Sequence, residues 1–243
     1  MPPVVRSQRK GCCLFQVFAG EKMKKTEIKG VVFDMDGLMF DSERIVQLSW
    51  DQAGERMGLG KLGHNIYHTL VFNREKRKGY FKEKYGEEFP FEKFQELYRQ
   101  CFQEYVRENG LPVKQGLHEI LEFLKESQIP MAVATSSSQE HALGNLEKEG
   151  ISGYFQAVIT GNMVSRGKPW PEIYEKACRA LDLPPEQVLA LEDSYSGLRA
   201  AHAAGMITVM VPDLLTDSSC VDEILDGKMT SLLEVRDWIA SMR

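Results

Sequence analysis

A chain of 243 residues with 43% hydrophobic and 27% charged side chains has the balance of a folded globular protein. It is long enough for one large domain or for a core with a smaller inserted one. Its net charge of −5 offers no general attraction to nucleic acid or to an anionic membrane surface. Neither partner is expected, and any anionic ligand has to be captured locally.

The five cysteines are scattered and form no C-x-x-C pair, so reduced thiols and a cytoplasmic location are expected. The first two dozen residues place basic side chains ahead of a short apolar patch, but Gln16 breaks it and no small-residue cleavage site follows. Residues 1–24 are therefore expected to be a disordered, dispensable extension, with Met23-Lys24-Lys25 as a second possible start. A monomer or weak homodimer is the expected state.

From residue 28 the pattern becomes regular. IKGVVFD is a β-branched run ending in Asp, as expected of a buried parallel strand. Further short apolar runs follow at 130–135 (PMAVAT), 157–160 (AVIT), 188–191 (VLAL) and 207–211 (ITVMV). Helical patterns at 116–127, 139–149, 171–181 and 196–204 separate them, which is βαβ punctuation. The fold class expected is α/β, a doubly wound parallel sheet with a Rossmann-like core, and such sheets place ligands outside the carboxyl ends of their strands.

One interval lacks strands. Residues 42–111 contain helical patterns at 44–57, 74–85 and 91–107, and a structureless loop of that length would be unusual. An inserted α-helical cap domain over 42–111 is expected, with 25–41 and 112–243 forming the core.

Four features fall at expected strand ends. Asp34-Met35-Asp36-Gly37 puts two carboxylates on one side of a strand end, where one can act as nucleophile and the other as acid. Thr135, followed by Ser136, Ser137 and Ser138, brings hydroxyls and amides to a helix start, a ready phosphate site. Lys168, between Gly167 and Pro169, can neutralise a phosphate and an attacking carboxylate. Glu192-Asp193 offers hard oxygen ligands of the kind that suit Mg²⁺. Taken singly, these also read as a turn, a helix cap, a solvated loop lysine and an N-cap pair. Together they describe a phosphoryl-transfer site.

In this order the motifs D-x-D-G, Thr135, G-K-P and E-D-S-x-x-G resemble the haloacid dehalogenase superfamily, and the helical interval resembles its small helical cap. The resemblance implies Asp34 as the nucleophile that forms an aspartyl-phosphate and Asp36 as acid and base. It implies Thr135, Ser136, Lys168 and Gly37 around the phosphate. Mg²⁺ is the implied cofactor, held by Asp34, by the main-chain oxygen of Asp36 and by Asp193, with Glu192 as a further or indirect ligand.

An aspartate at position 36 points to phosphate esters rather than to dehalogenation. The expected activity is hydrolysis of a small phosphomonoester of sugar phosphate or nucleoside monophosphate type. A phosphomutase of the β-phosphoglucomutase type is the alternative, disfavoured by Val46 where such mutases carry histidine. A non-catalytic binding protein is a third reading. Arg74, in the run NREKRK, is the candidate substrate contact from the cap. His64 and His68 have the spacing of a helical metal pair but no third ligand, and Asp41 and Ser42 are expected to cap the first cap helix.

Overall fold

The structure, a computed structural model, describes residues 27–70 and 72–243, so the expected extension over 1–24 lies outside the described residues. Six parallel strands form one sheet: β1 (Gly30–Phe33), β2 (Met131–Ala134), β3 (Ala157–Ile159), β4 (Val188–Glu192), β5 (Ile207–Met210) and β6 (Gly227–Lys228). Their order is β3-β2-β1-β4-β5-β6. The direction of winding reverses between β1 and β4, which is the switch point where sheets of this class open a crevice.

Alternation along the strands feeds two cores. Val31 and Phe33 face a cluster built with Leu117, Ile120, Leu121 and Leu124 of α5 (Leu117–Glu126) and with Val235 and Ile239 of the last helix. Val32 faces the opposite cluster, with Ile173, Tyr174 and Ala177 of the helix after β3 and Ala200 and Ala201 of the helix after β4. Both faces are covered, so the central strands carry side chains that are apolar in both directions. The fold is the doubly wound α/β arrangement expected from the sequence.

The chain leaves the core after Phe40 and returns at Val113. Between them lie α1 (Ser42–Arg56), α2 (Ile66–Thr69), α3 (Arg74–Tyr85) and α4 (Phe91–Asn109). These have a separate core of Trp50, Ala53, Leu62, Ile66, Phe81, Phe89, Phe91 and Phe94. The two connections pair with each other: Phe40 bridges Val113 in antiparallel fashion, Asp41 N–H donates to Pro112 O at 2.8 Å, and Lys114 N–H donates to Met39 O at 2.9 Å. Asp41 occupies the N-cap position of α1 but makes no capping bond; its carboxylate pairs instead with Arg44 at 3.0 Å.

The remaining helices are α6 (Gln139–Lys148), α7 (Glu172–Leu181), α8 (Tyr195–Ala203) and α9 (Leu232–Ser241). Short α2 and two-residue β6 carry too few residues to show a period, and the sequence reading contained neither of them nor α9. No helix among the described residues is long and apolar enough to cross a membrane.

Candidate active site

The ladder between β1 and β4 pairs Phe33 with Leu191, so the residues just beyond, Asp34 and Glu192, stand side by side at the switch point. Asp34 N–H still donates to Leu191 O at 3.0 Å, which holds the strand in register up to the carboxylate. Asp34 is 7% exposed and Glu192 fully buried. Two such carboxylates require a buried counter-charge, and Lys168 supplies it. Its Nζ donates to Asp34 Oδ1 at 2.5 Å, to Glu192 Oε1 at 2.5 Å and to Ala134 O at 3.0 Å. Burial alone would lower the Lys168 ammonium, but Asp34 and Glu192 hold it well above the ordinary lysine range.

Glu192 is saturated. Its Oε1 also accepts from the Tyr174 hydroxyl at 2.8 Å, and its Oε2 accepts from Asp193 N, Ser194 N and Ser194 Oγ at 3.1, 3.0 and 2.9 Å. The carboxylate therefore anchors Lys168 and starts α8 at the same time. Only glycine fits against it: a Cβ at Gly197 would lie 1.6 Å from Glu192 Oε1.

The loop before Lys168 is tied down by Glu172, at the start of α7. Its carboxylate accepts from Ser165 N at 2.9 Å and Arg166 N at 3.1 Å and pairs with Lys176 at 3.1 Å. The Ser165 amide first, then Lys176 and the Arg166 amide, depress the carboxyl to about 2. A depressed carboxyl contributes stability above its unfolded value of 4.5, and loses it as pH falls toward 2. Urea denaturation should thus find Glu172→Gln less stable than the parent at pH 7, with the gap closing between pH 4.5 and 2. A gap independent of pH would contradict this role.

Asp36 lies beyond the strand, and its Oδ2 accepts from Ser137 Oγ at 2.6 Å. His141, in the first turn of α6, brings Nε2 to 3.9 Å from Asp36 Oδ1. Burial would raise Asp36, but His141, Ser137 and Ser42 together bring its carboxyl below the ordinary range. Asp36 in turn holds the His141 imidazole above its usual value, against the effect of burial. Neither Ser137 as a partner of Asp36 nor His141 was anticipated. The hydroxyl run offered Ser137 among equals, and nothing local to His141 announces a carboxylate contributed from more than a hundred residues away.

Glu43, in the first turn of α1, was also not anticipated. Burial first, then the charges of Asp36 and Asp213, push its carboxyl up to about 7, while Arg77 opposes them.

Other expected residues fall into different places. Thr135 is buried and its Oγ1 accepts from Ser137 N at 3.0 Å, so it shapes the loop that carries Ser137. Ser136 is exposed, and Ser138 caps α6 by accepting from His141 N. Gly37 has φ of 86°, and its N–H is taken by Phe40 O at 2.9 Å rather than left free for a phosphate. Its lack of a side chain instead admits Asp193, whose Oδ2 would lie 2.3 Å from a Cβ there. Arg74, the candidate substrate contact, has its guanidinium bonded to Gln95 at 3.1 Å and Glu75 at 3.0 Å, within α3 and α4.

Ligand atoms of Asp34, Glu192 and Asp193 lie within 4.8 Å of one another, the arrangement of three carboxylates that could hold a cation. The residues fit such an ion on two counts. Burial, followed by the charge of Glu192, pushes the carboxyls of Asp34 and Asp193 well above the ordinary range, the sign of carboxylates short of positive charge. No hydrogen bond reaches the Asp193 carboxylate among the described residues, whereas both oxygens of Glu192 are already engaged. His64 and His68 belong to no such group: His64 sits near Lys84 and Tyr85, and His68 stacks on Tyr80.

Comparison with known proteins agrees with this geometry. A phosphorylated carbohydrates phosphatase from Thermotoga maritima is 33% identical over 185 residues, 74% of this chain and 82% of its own length. A phosphoglycolate phosphatase from Salmonella typhimurium is 29% identical over 206 residues, 76% of this chain and 82% of its own. A crystal structure from Thermotoga maritima, of a protein assigned as a β-phosphoglucomutase, superposes with a TM-score of 0.74 at 28% identity, covering 88% of this chain and 99% of the other. The profile of one family matches residues 31–211, from the first strand that delivers Asp34 to the end of the fifth, and the chain belongs to the haloacid dehalogenase-like hydrolases.

Proposed function

We propose that the protein is a phosphatase of small phosphorylated metabolites that works through an aspartyl-phosphate on Asp34. The observation that carries this reading is the sharing of Lys168 between Asp34 Oδ1 and Glu192 Oε1. It pins one oxygen of Asp34 and leaves Oδ2 without a hydrogen bond among the described residues, two residues from a second carboxylate. The names of the Thermotoga and Salmonella relatives support phosphatase activity.

Asp34 Oδ2 attacks the phosphorus, the bond from phosphorus to the ester oxygen breaks, and Asp36 gives that oxygen a proton. Water then attacks the phosphorus of the acyl phosphate, passes a proton to Asp36, and Asp34 leaves as carboxylate. Asp36 is ionised without substrate, held so by Ser137 and His141. An arriving phosphate dianion raises its proton affinity, as any adjacent negative charge does, so Asp36 takes up a proton from solvent before it gives one to the ester oxygen, and the proton from the attacking water restores it. Lys168 balances the charge that moves from Asp34 onto the phosphoryl oxygens.

A Mg²⁺ ion held by Asp34 and Asp193 would supply the positive charge that lets a dianion enter a pocket of carboxylates. Glu192 acts as the anchor of Lys168 in this scheme rather than as a direct ligand. Phosphate release from a panel of phosphomonoesters with Mg²⁺ tests the reading, and excess chelator should lower the rate by about 100-fold or more. Full activity in chelator would remove the cation from the scheme.

A phosphomutase is the second reading, and one observation favours it. Val46 offers no imidazole at the hinge, yet His141 brings one to Asp36 from α6. Isomerised sugar phosphate without free phosphate as the main product would establish it.

A further inference from the structure

Lys168 has no hydrogen to spare. An ammonium carries three N–H groups, and those of Lys168 already reach Asp34 Oδ1, Glu192 Oε1 and Ala134 O. To neutralise an arriving phosphoryl group, the side chain has to release one of them. Ala134 O is a fixed main-chain acceptor at the end of β2, so the exchange lies between the two carboxylates. When Asp34 Oδ2 bonds to phosphorus, Asp34 loses its charge and its Oδ1 becomes a weaker acceptor. The N–H that leaves Asp34 can then turn to a phosphoryl oxygen, provided that Glu192 keeps its share of Lys168 without drawing in the remainder.

Tyr174 stands where that share is set. It lies in the first turn of α7, fully buried among Val32, Ala132, Ala134, Ile173 and Ala177, where a phenylalanine would fill nearly the same space without a polar atom. Its hydroxyl donates at 2.8 Å to Glu192 Oε1, the same oxygen that holds Lys168. Burial, and then the charge of Glu192, keep that hydroxyl well above the ordinary tyrosine range, so it stays a donor. Lys168 Nζ lies over the Tyr174 ring, 5.1 Å from its centroid, where the aromatic face attracts a cation. One side chain therefore touches both members of the ion pair.

We propose that Tyr174 is a positioning residue for phosphoryl transfer: its hydroxyl takes up part of the charge on Glu192 Oε1 and its ring steadies the ammonium, so that Lys168 can pass from Asp34 to the phosphoryl oxygens. The proposal rests on the phosphatase reading and deepens it. Tyr174 acts only through Glu192 and Lys168. Without the hydroxyl, Glu192 Oε1 is left with Lys168 as its single donor and holds it more strongly, and the ammonium lags as charge leaves Asp34.

The same turn of α7 also grips the loop that carries the lysine. Glu172, two residues before Tyr174, holds the amides of Ser165 and Arg166. The loop is thus fixed at its base by Glu172, while Tyr174 acts at the charged tip of Lys168. Both come from one helix start, which suits the placement of a charge that has to meet a reacting group in a defined geometry.

The test is Tyr174→Phe, which keeps the ring and removes only the hydroxyl. Kinetics use whichever of p-nitrophenyl phosphate, acetyl phosphate and glucose 6-phosphate the parent hydrolyses fastest, with Mg²⁺ present. The variant should show kcat lowered by about tenfold and KM within about twofold of the parent, as expected when a hydrogen bond to a charged group matters only in the transition state. Inhibition separates a misplaced charge from a general loosening of the site. Orthovanadate, which takes up the trigonal-bipyramidal geometry of the transition state, should bind the variant about tenfold more weakly, while inorganic phosphate should bind both proteins within about twofold.

A parental kcat in Tyr174→Phe, or losses of equal size for vanadate and phosphate, would overturn the role of Tyr174 while leaving the phosphatase standing. Release of phosphate by the parent from none of the three esters would overturn both.

Discussion

Asp34→Asn is expected to abolish phosphate release, with kcat lowered by about 10⁴-fold or more, because an amide oxygen is a far weaker nucleophile than a carboxylate. The same substitution should leave the fold intact. Lys168 keeps Glu192 Oε1 and Ala134 O as partners, so no buried charge is stranded. In the cation-free protein the effect on stability should even be favourable. The carboxyl of Asp34 is raised above its unfolded value by burial and by Glu192, so its charged form works against folding at neutral pH, and an uncharged isostere removes that cost.

Loss of activity with an unchanged or higher melting temperature is the expected pair of results. Acid-quenched samples of the parent should retain label from a phosphate donor on Asp34, and those of the variant should not. Near-parental turnover in Asp34→Asn would end the assignment.

Gly197→Ala should be the most damaging small substitution in the chain. Helix propensity alone predicts the opposite sign, since alanine is favoured over glycine by about 1 kcal/mol inside a helix. A Cβ at this position, however, meets Glu192 Oε1 at 1.6 Å and its carboxyl carbon at 2.0 Å. Glu192 cannot step aside without dropping Lys168, Tyr174 or the amides that begin α8. Breaking such a buried charged network costs about 3–5 kcal/mol, and the displaced Lys168 no longer neutralises Asp34.

Gly144 in α6 is the control, with nothing within 4 Å of its missing Cβ. Urea denaturation should show Gly144→Ala stabilised by up to about 1 kcal/mol and Gly197→Ala destabilised by several. Similar effects at the two sites would show that Glu192 has more freedom than its hydrogen bonds imply.

These two outcomes depend on features of unequal visibility in the sequence. The run from Val31 to Asp36 could be read because strand period and strand end are local: an apolar stretch that stops at a carboxylate has few other meanings in an α/β chain. Glu192-Asp193 and Lys168 were legible by the same rule, as polar residues placed where a buried strand or its loop ends.

Roles assigned by contact were less accessible. The five hydrogen bonds that engage Glu192, and the close approach of Asp193 to Gly37, cannot be seen from the chain alone. Arg74 and Arg77 are indistinguishable within a basic run. The signal that separates them is phase: Arg77 stands four residues before Phe81, the one fully buried residue of α3, and so shares its inward face. Glu43, Val46 and Trp50 have the same property along α1, spaced i, i+3 and i+7.

The pairing of Phe40 with Val113 has a further consequence for how this chain can change over time. The helical segment begins and ends at neighbouring points of a short ribbon, so the sheet meets it as a side branch. Closing the core with a turn of about four residues in place of residues 42–111 would lower the cost of loop closure by about 2.5 kcal/mol, since each doubling of loop length costs about 0.6 kcal/mol, and would remove no strand contact. Length and sequence in that branch are consequently free to drift, or to be exchanged whole, without moving any strand out of register. Residues 42–111 can be rewritten while Asp34, Lys168 and Glu192 stay where they are.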